Sequence, residues 1–145
     1  MQLLLQRVKS ASVDVGGERV AAIEQGLLVF VGLEKDDNKS LCERAAERLL
    51  AYRVFADDEG RMNRSVVDVG GSLLLVSQFT LAADTRKGLR PSFSSAMPPD
   101  EAAIMFDCFV DSVRDSGLHV QTGYFGADMQ VALVNDGPVT FNLSF

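Results

Sequence analysis

The chain has 145 residues, 47% hydrophobic and 23% charged, enough for one domain with its own buried core. Its net charge of −6 excludes a general nucleic-acid binder, because phosphate binding needs positive charge; any RNA contact has to come from a local basic patch. No apolar run is long enough to span a bilayer, and one histidine with two distant cysteines gives no metal-ligand spacing. Neither a metal nor another cofactor is expected.

The first ten residues, MQLLLQRVKS, carry no basic leader or small-residue cleavage site, so a cytoplasmic protein is expected. Leu3 to Val8 and Ser12 to Val15 read as strands, Gly16-Gly17 as a hairpin turn, and Arg19 to Ile23 as the return strand. After a turn at Gln25-Gly26, the continuous apolar run Leu27 to Leu33 suits a strand buried on both faces. Ser40-Leu41-Cys42-Glu43 fits a capping box. The helix it opens runs to about Arg53, with Leu41, Cys42, Ala45, Ala46, Leu49 and Leu50 on one side. Cys42 and Cys108 both fall in predicted helices and read as inert, partly buried thiols.

Asp57 to Gly60 is a polar turn, Val66 to Val69 a short predicted strand, and Ser72 to Phe79 a strong one. Ala82 to Pro98 has no sustained period, and long structureless loops inside compact domains are usually functional. Within it, Thr85 to Pro91 carries Arg86, Lys87 and Arg90, either a phosphate contact or a solvated surface loop. Pro99 and the acids Asp100-Glu101 open a second helix whose apolar side is Ile104, Phe106, Phe109, Val110 and Val113, and Gly117 ends it. His119 to Thr122 and Met129 to Val134 follow as strands. In the last segment Val139, Phe141, Leu143 and Phe145 alternate with Thr140, Asn142 and Ser144. The order predicts a single α+β domain over residues 1–145, a mostly antiparallel, barrel-like sheet with two packed helices.

A hydrolase needs a nucleophile or activated water, a proton acceptor and donors for an oxyanion. GxSxG and GxxxxGK are absent, and the single histidine, His119, sits in a predicted strand; a triad built on it competes with a surface or structurally satisfied imidazole. Two segments stand out. Ser77-Gln78-Phe79-Thr80-Leu81 ends the strong strand where the long loop begins, and supplies hydroxyls, an amide and backbone N–H groups suited to an oxyanion pocket. The plainer reading is an ordinary polar strand end. Asn135-Asp136-Gly137-Pro138-Val139-Thr140 is composed of turn residues between two predicted strands, and by itself reads as a plain turn.

Together, SQFTL at 77–81 and NDGPVT at 135–140 resemble the two signatures of the D-aminoacyl-tRNA deacylase family. Arg7-Val8, Ala11-Ser12-Val13, Gly26-Leu27-Leu28, Arg53-Val54-Phe55, Gly60-Arg61-Met62-Asn63, Gly88 to Phe93 and Gly123 to Met129 fall in family order, so the resemblance covers nearly the whole chain. It implies a homodimer of barrel-like subunits with the active site at the interface. It also implies a cis Gly137-Pro138 bond that projects from one subunit into a pocket of the other, lined by Ser77, Gln78, Phe79 and Thr80 with Met129 nearby. The substrate implied is the ester of a D-amino acid, or of mischarged glycine, with the 3′-terminal ribose of tRNA, L-amino acids being excluded by the rigid Gly137-Pro138 backbone, and with the terminal ribose hydroxyl helping to activate water. Thr80 as a covalent nucleophile remains open beside a backbone oxyanion site. For the tRNA body, the candidates by charge are Arg86, Lys87 and Arg90, with Arg7 and Arg53 behind them. A non-catalytic RNA- or protein-binding barrel, and a small-molecule esterase acting through Thr80 or Ser77, are the rival readings.

Overall fold

The computed structural model describes residues 1–145. Strand β1 (Gln2–Val15) runs into β2 (Glu18–Ile23) through Gly16 and Gly17, both at positive φ (59° and 87°), the backbone that a two-residue hairpin turn requires. β3 (Gly26–Gly32), helix α1 (Lys39–Ala51), the small hairpin β4 (Phe55–Ala56) and β5 (Met62–Arg64), and β6 (Ser72–Ser77) follow. A 3₁₀ turn (Phe79–Ala82), helix α2 (Pro99–Arg114), β7 (Val120–Thr122) and β8 (Met129–Ser144) complete the chain.

β1 is the spine of the sheet. One edge pairs with β8 along its whole length, and the other pairs with β3 over Gln2 to Val8 and with β2 over Ala11 to Val15, all antiparallel. The sheet continues from β3 to β6 to β7 in parallel. Parallel neighbours need a long crossover, and the two helices occupy those crossovers. β2 comes back against β6 and β7, so the sheet curls into a nearly closed barrel.

Two cores result. The larger lies between the sheet and the helices and joins Leu3, Leu5, Leu27, Val29, Leu73 and Leu75 to Leu49 of α1 and Phe106, Phe109 and Val113 of α2. The smaller fills the barrel with Val8, Val13, Ile23, Leu28, Leu74 and Val76. The alternation along each strand divides its side chains between the two, which is why Leu73 to Val76 are buried without interruption. The chain's ends meet over the larger core, where the Met1 ammonium lies 2.7 Å from Glu34 and 2.8 Å from Asp37 and the Phe145 N–H donates to the Met1 carbonyl.

Several local expectations change. The two N-terminal strands are one, because the chain between them stays paired with β8. Helix α1 is capped by Asn38, whose side chain accepts from the Leu41 N–H at 3.1 Å, so Ser40 lies inside the first turn and the helix ends at Ala51. Val66 to Val69 is a turn, held by the Asp68 carboxylate accepting from the Ser65 N–H and hydroxyl. Ile104 is 72% exposed and Ala102 takes the buried place. β6 stops at Ser77, and Phe79 and Thr80 belong to the 3₁₀ turn.

The largest change concerns residues 129–144. They form one strand rather than two with a turn between. Thr140 pairs with Gln6 and Asn135 with Val8, so Asp136 to Val139 stand opposite the single residue Arg7. The segment read as a plain turn is an enlarged bulge, pushed out of a strand that continues beyond it.

Candidate active site

Ser77 ends β6 in the middle of the sheet. The Gln78 N–H still donates to the Val31 carbonyl at 2.7 Å, and then the chain tightens into the 3₁₀ turn. Gly32 makes room for this: a Cβ there would lie 2.7 Å from the Leu81 Cβ and 3.1 Å from the Gln78 carbonyl oxygen. The opening N–H groups of a helical turn have no partner within it, which leaves those of Phe79 and Thr80 as free donors at the strand end. The Gln78 amide donates to the Thr80 hydroxyl at 2.5 Å, fixing both side chains beside these donors.

The strand end opens into a cleft of about 810 Å³. Ser77, Gln78 and Phe79 form one wall, the 96–99 segment and Ala102 of α2 a second, and residues 125–129 with Val131 a third. The Phe79 ring is 58% exposed and lies 5.0 Å from Phe93. Met129 folds over Gly123 into space that no side chain at 123 could share. The lining is mostly apolar, and its one ionisable side chain is Asp128, itself exposed. Phe93, Phe125 and Asp128 were not singled out in the sequence, where nothing local distinguishes a cleft aromatic or acid from a surface one.

His119 is elsewhere. Its carbonyl accepts from the Leu73 N–H at the start of β6, four residues or roughly 13 Å of strand from Ser77, so no triad forms around it. Cys42 is buried, and burial, with Cys108 a lesser cause, pushes its thiol up to about 12, which leaves it inert as a nucleophile.

Gly137 and Pro138 are both exposed and joined by a cis bond. Gly137 has φ 143°, and a Cβ on it would lie 2.6 Å from the Val139 side chain. The bulge is pinned at its base. The Arg7 guanidinium donates to the Asp136 carbonyl at 2.9 Å and to the Val54 carbonyl, and lies 3.6 Å from the Asp136 carboxylate. Asn135 accepts from the Val139 N–H at 2.8 Å and donates to the Thr140 hydroxyl at 2.9 Å. Neither Gly137 nor Pro138 lines the cleft. Within one chain the two signature segments are not brought together; Met129 alone of the expected substrate-binding residues joins Ser77, Gln78 and Phe79.

The basic residues divide likewise. Arg7 is only 14% exposed and engaged by the bulge. Arg53 is exposed and donates to the Asn63 side chain. Lys87 and Arg90 are exposed in the long loop. Arg86 makes two side-chain bonds to Asp84, at 2.9 and 2.7 Å, which hold that carboxyl well below its usual range.

A family model described as D-Tyr-tRNA(Tyr) deacylase matches residues 4–144. The chain belongs to the D-Tyr-tRNA deacylase family. D-aminoacyl-tRNA deacylases of Pseudomonas aeruginosa strain LESB58 and Shewanella loihica are 60% and 56% identical over 143 residues, covering 99% of each chain. Among solved structures, one described as c-Myc DNA Unwinding Element Binding Protein is 40% identical with a TM-score of 0.95, covering 100% of this chain and 99% of its own. Another, described as a probable eukaryotic D-amino acid tRNA deacylase, shares the fold at TM-score 0.83 and 19% identity over 98% of both chains. The family is one of hydrolases acting on the aminoacyl-tRNA ester bond, and the cleft described above holds no side-chain triad.

Proposed function

We propose that this protein removes D-amino acids, and glycine, from tRNA by hydrolysing the ester to the 3′-terminal ribose, as a cytoplasmic homodimer without a cofactor. The observation that carries the reading is the cleft at the end of β6, lined by Ser77, Gln78 and Phe79 with Thr80 next to them outside the lining, and with no imidazole or lysine in that lining. An aminoacyl ester is already labile, so a modest rate factor suffices, and one well-placed oxyanion donor contributes about 3 kcal/mol. The Phe79 and Thr80 N–H groups, with the Gln78 amide, hold the carbonyl oxygen; the substrate's neighbouring ribose hydroxyl assists the attacking water.

The exposed Gly137-Pro138 bulge supports a site completed by a second copy of the chain. Carbonyls of that bulge grip the substrate's amino group in the partner's cleft. An L side chain then collides with fixed main chain, while a D side chain points to solvent. Exclusion of this kind exceeds the roughly 1–3 kcal/mol available from fitting one methylene, and it admits glycine.

The test is to mix the purified protein with matched D- and L-tyrosyl-tRNA and follow release of tyrosine. Loss of the D-ester alone supports the reading. Loss of both esters points to a general esterase, and loss of neither to a binding module. Thr80→Val tests the alternative of a covalent nucleophile, which near-wild-type activity in that variant eliminates.

A further inference from the structure

A second cleft, of about 530 Å³, lies behind the first. The two share a wall made of the 3₁₀ turn and the 93–96 segment. Phe93 and Ala96 face the first cleft, while Ser94 and Ser95 face the second. Ser95 donates to the Ala82 carbonyl, tying the two layers of the wall together. The first cleft is apolar; the second is polar and ends at Asp84 and Arg86.

We infer that this second cleft seats the phosphodiester immediately 5′ of the substrate's terminal adenosine, with Arg86 as its ligand and Asp84 as the group that holds Arg86 ready. The inference rests on the hydrolase reading above. A single strand whose last nucleotide occupies the apolar cleft and leaves it over the shared wall carries its backbone into the second cleft, and backbone tracking requires a cation while bases take the apolar surfaces. Arg86 is 86% exposed and is the cation at this place. Asp84 is itself fixed, exchanging both backbone hydrogen bonds with Ser92, and it accepts from the Arg86 main chain and side chain. Glu34, the other acid of the cleft, is paired with the Met1 ammonium. With its charges matched, the cleft does not draw anions at large, in keeping with an acidic chain; a phosphate delivered by the bound adenosine displaces Asp84 from one face of the guanidinium, which is built to take two oxygens at once.

The experiment compares D-tyrosyl esters of adenosine, of the dinucleotide CpA and of tRNA. Wild type should show a KM several-fold lower for the CpA ester than for the adenosine ester. That gain should decline as salt rises, because the contact between one phosphate and an exposed guanidinium is screened. Arg86→Ala should abolish the gain. The ratio is taken within each variant, so a change in folded fraction does not move it. Equal KM values for CpA and adenosine esters in wild type, or a gain retained by Arg86→Ala, would overturn the inference while leaving the hydrolase reading intact. Failure of wild type on all three esters would remove both.

Discussion

The two signature segments are held by opposite means. Residues 77–81 begin at the last residue of β6, a strand covered on both faces and flanked by two others, and continue into the 3₁₀ turn; the cleft inherits its shape from the core. Residues 135–140 belong to β8, which has a single neighbour, and their shape depends on Arg7 and Asn135. The difference teaches where damage should appear. The β6 end can be moved only by disturbing close-packed interior. The bulge can be displaced while the fold survives, so its variants should lose function before stability.

The sharpest test is Gly137→Ala. A side chain there meets Val139 at 2.6 Å on a backbone at φ 143°, which L residues avoid. We expect activity on D-tyrosyl-tRNA to drop by about a hundredfold or more, the order of losing one transition-state contact, with little change in the thermal midpoint. On the proposed dimer, mixing this variant with a Gln78→Ala variant, which lacks the amide donor of the cleft, should restore about a quarter of wild-type activity, because half of the dimers would be mixed and each would carry one intact site. No recovery on subunit exchange breaks the view that the segments meet across two chains.

Arg7→Ala comes next. It leaves the Asp136 and Val54 carbonyls without their donor, at a cost of about 1–3 kcal/mol readable by urea unfolding. It should reduce kcat while leaving the salt dependence of KM unchanged. A flattened salt dependence with kcat intact would make Arg7 a tRNA contact instead. Smaller still is Lys87→Glu with Arg90→Glu, on a loop that touches neither core. Stability should be untouched, KM for tRNA should rise, and its salt dependence should flatten.

These variants also mark what local pattern could reveal. The strands of the core were legible because period-2 alternation and Gly16-Gly17 are local signals, and the helix faces because their apolar spacing is. Residues 135–140 misled for a physical reason: Asn, Asp, Gly and Pro serve a bulge as readily as a turn. What keeps β8 continuous past them is Arg7, 129 residues away from Asp136 in sequence. The Asn38 cap was passed over for Ser40 because both side chains suit the position, and the choice depends on where the preceding chain leaves β3. The strand end at Ser77 was legible as a site, whereas the 3₁₀ turn that follows it depends on the missing side chain at Gly32, which no window of sequence around Ser77 contains. The Gly137-Pro138 cis bond is present as the family resemblance implied.

Charge also pins the chain at Met1, whose ammonium is paired with Glu34 and Asp37 in the turn after β3, and this pin should respond to alkali. Burial acts to lower the Met1 ammonium's pKa, but its hydrogen bonds to Asp37 and Glu34 outweigh that and hold it above the ordinary 8.0. Burial raises the Cys42 thiol from 9.0 to about 12. Both shifts have the same sign for stability. Below pH 8 both groups are protonated in the folded and unfolded chain, and their contribution is complete. Above it the unfolded amine, and then near pH 9 the unfolded thiol, give up protons that the folded protein retains, so stability declines as pH rises. The amine's share is lost from pH 8 upward and the thiol's between about 9 and 12. We expect a urea midpoint that is level from pH 6 to 8 and then falls in two stages. Cys42→Ala should remove the later stage and leave the earlier. A midpoint that stays level to pH 10 would show that the join between Met1 and the turn after β3 does not depend on charge, and the contrast between a core-built cleft and a charge-pinned edge would then be confined to the bulge.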